Sequence, residues 1–150
     1  MKYLNRITVS ALLVLILASC EKVQSYDIKF GLLQSVDGIT TLAEETNKIA
    51  YKTRAEGQYF GVVVTPSASE EYTTSKVTYL PGVPLVLSGN LKGEDPDKAP
   101  EGYKSPTYRA KGVAVHTMGL DPGDPFGIYR AEVFINGKLE KEIFFEVTKK

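Results

Sequence analysis

The chain holds one cysteine, one histidine and no tryptophan in 150 residues, and its formal charge is zero. A single cysteine, Cys20, rules out an internal disulfide and a thiolate metal cluster, so folding must rest on a hydrophobic core. With one histidine, any Ser-His-Asp or Cys-His device has to run through His116, and no Gly-x-Ser-x-Gly elbow occurs anywhere. Zinc has too few nitrogen and sulfur ligands to draw on, so no metal site is expected. The absence of tryptophan argues against a flat sugar-stacking platform. A balanced charge leaves no electrostatic footprint for nucleic acid. Glycines are not followed by Lys-Ser or Lys-Thr, which removes the phosphate-cradling loop and leaves no cofactor implied.

What is present begins with Lys2 and Arg6, an apolar run from Ile7 to Leu17, and Leu17-Ala18-Ser19-Cys20. A basic start, a short apolar segment and small residues before a break make a secretory signal over residues 1–19. Ile7–Ala18 is short of the roughly 20 residues needed to span a bilayer. The four residues ending in Cys20 resemble a bacterial lipobox. That resemblance implies a mature chain starting at Cys20, linked to lipid through its thioether. Each buried acyl CH₂ contributes about 0.8 kcal/mol, so several acyl chains give essentially permanent membrane attachment. With Lys2 and Arg6 removed, 16 basic residues face 18 acidic ones. Residues 20–25 form a short lipidated tether, and its last five residues reach at most about 17 Å when extended. Glu21 after the lipidated cysteine favours the outer membrane over the inner in the sorting scheme this motif resembles.

From Tyr26 to residue 150 the pattern is one β domain. Tyr26–Leu32, Ile49–Thr53 and Ser75–Leu80 alternate with period two, and Gln58–Thr65 is a nearly continuous β-branched run suited to a central strand covered on both faces. Val83–Ser88 is a further strand, beginning or edge-placed because of Pro84. Tyr108–Met118 reads as one strand, with Val113, Val115 and Thr117 on one face and Ala114 and His116 on the other. Thr40–Lys48 reads as a helical turn or loop. Gly89–Thr107, with three prolines and three glycines, reads as a long irregular loop. Asn136-Gly137 joins Ile128–Ile135 to Leu139–Val147 as a hairpin. A three-residue loop with a bulge at Gly137 keeps the apolar sets together, setting Val133 against Leu139, Tyr129 against Ile143 and Arg130 against Glu142. Phe134 and Phe144 then point away from the core. About eight strands with turn clusters between them predict an immunoglobulin-like antiparallel β-sandwich, with a small β-barrel as the alternative.

Candidate sites are sparse. His116 reads as a partly exposed or hydrogen-bonded strand histidine. Acidic groups gather at Glu70-Glu71, Glu94–Asp97 and Asp121 with Asp124, in spacings that lack the calcium-loop pattern and read as solvated charges. No catalytic residue is assigned. Tyr72, Tyr103 and Tyr108, in or beside the irregular stretches Thr65–Lys76 and Gly89–Thr107, are the candidate partner-binding residues, since loop tyrosines offer a flat apolar face and a hydroxyl.

The pieces Ile28-Lys-Phe-Gly31, Tyr59-Phe60-Gly61-Val-Val, Pro84-Leu-Val-Leu87 and Gly127-Ile-Tyr-Arg130 … Asn136-Gly-Lys-Leu139 … Phe145-Glu-Val147 resemble an uncharacterised family of exported bacterial β-sandwich domains. The resemblance implies a sandwich fold and an envelope location, and it brings no catalytic residues. The expectation is thus a lipid-anchored envelope protein acting as a non-catalytic binding or envelope-assembly module, with a protein or glycan partner. The alternatives are a hydrolase of envelope polymers using loop carboxylates and an inhibitor of a hydrolase.

Overall fold

The structure, a computed structural model, describes residues 24–82 and 102–149. The Val83–Ser88 strand, most of the 89–107 stretch and the lipobox lie outside the described residues. Among the described residues, ten strands make two facing sheets. The first runs β2 (Ile39–Glu45), β1 (Tyr26–Val36), β4 (Tyr59–Pro66), β8 (Ala114–Met118). The second runs β3 (Lys48–Ala50), β10 (Lys138–Thr148), β9 (Gly127–Ile135), β5 (Glu71–Tyr79), β6 (Gly102–Lys104), with β7 (Tyr108–Lys111) also on β5. This is the expected immunoglobulin-like β-sandwich and not a closed barrel. One pair departs from the antiparallel rule, because β3 crosses from the first sheet and lies parallel to β10.

The core forms where the two inner faces meet. Ile28 and Phe30 of β1 and Phe60, Val62 and Val64 of β4 meet Tyr129, Ala131, Val133, Ile143, Phe145 and Val147 of β9 and β10. Phe145 is its hub, with ring centroids 4.7 Å from Phe30, 5.6 Å from Phe60 and 5.2 Å from Tyr129. Strand β4 is central, as read, with β1 and β8 on either side. Its outer face is not fully covered, since Tyr59 and Thr65 are exposed.

Three local readings are corrected. The stretch taken as a helical turn or loop is strand β2, because Asp37-Gly38, both at positive φ, close a two-residue hairpin from β1. Tyr108–Met118 is two strands, β7 in one sheet and β8 in the other, separated by a turn at Gly112-Val113. The β9–β10 hairpin has a two-residue turn: Ile135 pairs with Lys138, and Asn136 and Gly137 take φ of 50° and 76°. The register's bulge sits in β10 between Leu139 and Lys141 instead of at Gly137. It still does what the apolar pattern requires, bringing Ile143 opposite Ala131 and Phe145 opposite Tyr129. Arg130 therefore opposes Phe144, and reaches Glu142 diagonally at 3.5 Å. Phe144 does face outward and is exposed, while Phe134 is half-buried.

Candidate functional site

Strand β5 carries an inverted pattern. Its apolar Val77 and Tyr79 pair with Glu132 and Arg130, on the face of the second sheet turned from the core. Thr74, Lys76 and Thr78 pair with Ile135, Val133 and Ala131, and so face the gap between the sheets. Across that gap β8 presents Ala114, His116 and Met118, which pair with the inward Val64, Val62 and Phe60 of β4. A polar stripe therefore runs through an interior where alternation alone would put apolar side chains.

Lys76 is 6 % exposed. Its ammonium donates to Thr78 Oγ1 at 2.7 Å, and Thr78 Oγ1 in turn contacts Met118 Sδ at 3.5 Å. Among the described residues no carboxylate pairs with it. Burial holds its pKa down at about 8. His116, 3 % exposed, shares a 2.8 Å hydrogen bond between Nε2 and Thr74 Oγ1, and its Nδ1 has no hydrogen-bond partner among the described residues. Burial, with the Lys76 charge adding to it, lowers its pKa to about 4, so the imidazole is neutral at pH 7.

Two hollows flank this pair. The larger, about 340 Å³, has Phe60, Lys76, Thr78, Leu120, Tyr129 and Phe145 as buried lining. Its rim includes the exposed Arg54, Tyr59, Tyr103 and Asp121. The smaller, about 300 Å³, lies between β7 and β8 over His116, with Tyr108 at its edge. By register they lie toward opposite ends of β8, the larger lined by Phe60 and Met118, the smaller by Ala114, which pairs with Val64. The chain enters β1 at the end where Ser25 and Ser67 exchange hydrogen bonds, next to Pro66. Tyr59, at the other end of β4, lines the larger cavity. At about 3.3 Å per residue, that cavity is some 23 Å from the chain entry.

The edge beside Lys76 is interrupted. Strands β6 and β7 pair with the two ends of β5, and between them Ser105 accepts a hydrogen bond from the Lys76 amide through Oγ (2.8 Å), while its own amide donates to the Lys76 carbonyl (2.7 Å). Part of the expected long loop is thus strand, broken at Pro106.

The sequence-nominated tyrosines separate. Tyr103 and Tyr108 are 67 % and 49 % exposed and border the larger and smaller hollows respectively. Tyr72 is 1 % exposed, its ring tilted against Tyr26 at 5.1 Å and its hydroxyl donating to the Gly112 carbonyl at 2.8 Å, so it is a core residue and not a loop contact. The expected loop Thr65–Lys76 is the end of β4 and the first six residues of β5, which leaves only residues 67–70 outside strands. Lys76 was not nominated: its only sequence signal is a long cation between β-formers, which reads as solvent-facing. Cys20 and Leu17, Ala18 and Ser19 lie outside the described residues.

The acidic groups are engaged. Asp121 Oδ2 is 2.7 Å from Arg54 Nη2, and Asp124 Oδ2 accepts from the Asp121 amide at 2.7 Å. Glu71 lies 3.8 Å from Arg109, and Glu94–Asp97 fall outside the described residues. A second buried polar group, away from the cavities, sets the Arg130 guanidinium 4.1 Å above the Tyr79 ring and 3.6 Å from Glu132. There the Tyr79 hydroxyl donates to Glu132, and burial, with the Glu132 charge, pushes its pKa up to about 12.

No family model matches the chain, and no curated protein matches it. Among solved structures it is similar to an immunoglobulin-like protein from Pseudomonas aeruginosa, at 19 % identity and a TM-score of 0.50, covering 83 % of this chain and 96 % of that one. That likeness places the fold in the immunoglobulin-like class. A β-glucosidase from Listeria innocua aligns at 8 % identity and a TM-score of 0.37, over 83 % of this chain and 16 % of that one, which carries no argument about fold or activity.

Proposed function

We propose that this chain is a lipid-anchored, non-catalytic binding module of the bacterial cell envelope, held at the outer membrane by lipid on Cys20 and meeting its protein or glycan partner at the end of the sandwich away from the tether. The observation that carries this reading is Leu17-Ala18-Ser19-Cys20, which ends an apolar run and holds the chain's sole cysteine. Support for the orientation comes from the entry of β1 at one end and the opening of the larger cavity, rimmed by Tyr103, at the other. A hydrolase would need a free acid and base at that cavity. Asp121 and Asp124 are instead bonded to Arg54 and to backbone, which favours binding over catalysis.

Cys20→Ser should leave unprocessed precursor and abolish labelling by a clickable fatty acid; continued labelling would refute the anchor. One observation favours a second reading, inhibition of a foreign hydrolase. The β1–β2 hairpin overhangs β4 beyond Leu33, with Val36 and Ile39 exposed at its tip. Such a tip can enter an active-site cleft, and a panel of lysozymes and proteases assayed with and without the protein decides it.

A further inference from the structure

We infer that the larger cavity is a binding site for small monocarboxylates with an apolar body, the carboxylate seated on the Lys76 ammonium and the body against Met118, Phe60 and Tyr129. This deepens the binding role proposed above by naming a ligand class for the cavity at the partner-facing end. The first support is the unfilled cation. Among the described residues, a lysine 6 % exposed donates one hydrogen bond, to Thr78, and has neither a second acceptor nor a countercharge. Burying an unpaired ammonium is costly, and an incoming anion is what offsets that cost.

The second support is the shape and chemistry of the cavity. About 340 Å³ falls within the range of small-molecule sites, and aromatic rings and a thioether with a few polar groups make the usual lining. Phe60, Tyr129 and Phe145 form its floor and belong to the rigid aromatic hub, so the apolar part of the site is preformed. The third is the inverted phase of β5. Val77 and Tyr79 pack on the opposite face, where Tyr79 lies under Arg130, but Lys76 itself gains no ion pair among the described residues and breaks the alternation at the cavity.

The chemistry selects a monoanion. One ammonium without a guanidinium fork or a row of free backbone amides matches a single carboxylate, and a phosphate dianion would lack donors. Arg54 at the rim is already paired with Asp121. With Asp121 paired to Arg54, Asp124 at the mouth repels a second negative charge, which restricts the ligand to one.

Met118 lines the cavity, and the sequence has only one other methionine, Met1. The full chain in lipid nanodiscs, labelled with ¹³C at methionine methyls, is titrated with 3-phenylpropionate and with its neutral amide. The expected result is a saturable shift of the Met118 methyl by the acid, with the amide and the Lys76→Leu variant each about tenfold weaker or worse. Equal binding of acid and amide, unchanged binding by Lys76→Leu, or no shift at about 10 mM acid would each overturn the assignment. The acid–amide comparison in the unaltered protein decides the matter even if Lys76→Leu misfolds. Fatty-acid labelling at Cys20 is unaffected by any of these outcomes, so the envelope role stands or falls separately.

Discussion

Lys76 and His116 place two titratable side chains in one buried gap, and burial moves both away from their usual range. For Lys76 the folded pKa of about 8 lies below 10.5, so the unfolded chain takes up its proton first as pH falls. The group's contribution is therefore best above pH 10.5 and declines to its full penalty below 8, about 3 kcal/mol at most. Lys76→Leu should be about 2 kcal/mol more stable than the parent at pH 7 in urea denaturation, with the gap narrowing as pH approaches 10. His116 behaves likewise at lower pH, since its folded pKa of about 4 lies below 6.5. Stability is held above pH 6.5 and lost as pH falls toward 4. His116→Gln, which can still bond Thr74, should flatten that acid limb in melts taken between pH 7 and 4. The two residues differed in legibility. His116 was readable because its neighbours Ala114 and Val115 gave the strand phase. Lys76 was not, because Val77 and Tyr79 fill the opposite face of β5, and nothing in a local sequence says which face of a strand meets the other sheet.

At the level of elements, the β9–β10 hairpin separates what a sequence specifies from what it leaves free. Burial of Tyr129, Ala131 and Val133 with Ile143 and Phe145 required one odd residue between the strands, and one exists. Its position did not follow, because a bulge at Gly137 and one beside Glu140 restore the same phase. Deleting Glu140 should therefore remove the bulge and keep Ile143, Phe145 and Val147 inward. A cooperative melt and native-like amide spectrum are expected, and collapse of the core signals would contradict the register. Strand β2 was missed although Val36-Asp37-Gly38-Ile39 contains a hairpin signal, because its polar threonines and glutamates hid the alternation. On the first sheet, Gly31 and Gly61 pair directly across β1 and β4. A Cβ on Gly61 would fall 2.1 Å from the His116 carbonyl oxygen, and one on Gly31 1.9 Å from that of Glu44. Gly61→Ala is expected to cost about 3 kcal/mol or more by pushing β8 away, measured by chemical denaturation.

Taken as one body, the molecule has two unlike ends. The end where β1 starts carries the Ser25–Ser67 clasp and the Asn136-Gly137 turn, whose Asn136 side chain accepts from the Thr73 amide. The other end carries the larger cavity, the exposed Tyr103 and the overhanging hairpin. The sandwich class was legible because strand-length apolar segments and turn residues recur along the chain. The division into ends was not, because it depends on strand direction and sheet order. A photo-crosslinking residue replacing Tyr103 should capture the envelope partner in cells, while one replacing Ser67 should capture lipid or nothing; equal capture at both positions would remove the orientation from the proposal.

Strand β1 has a mechanical consequence. It is hydrogen-bonded along most of its length to β4 on one side and along its second half to β2 on the other. In the arrangement proposed above, tension from upstream of Ser25 would pull along the strand axis, while a partner at the far end would pull the opposite way. Those ladders are then loaded in shear, many bonds at once, and are not unzipped one after another. Forced unfolding is governed by the unfolding rate. Under the anchoring proposed above, the two-sided first strand would let a small sandwich without a disulfide stay folded while it bridged a membrane and a partner.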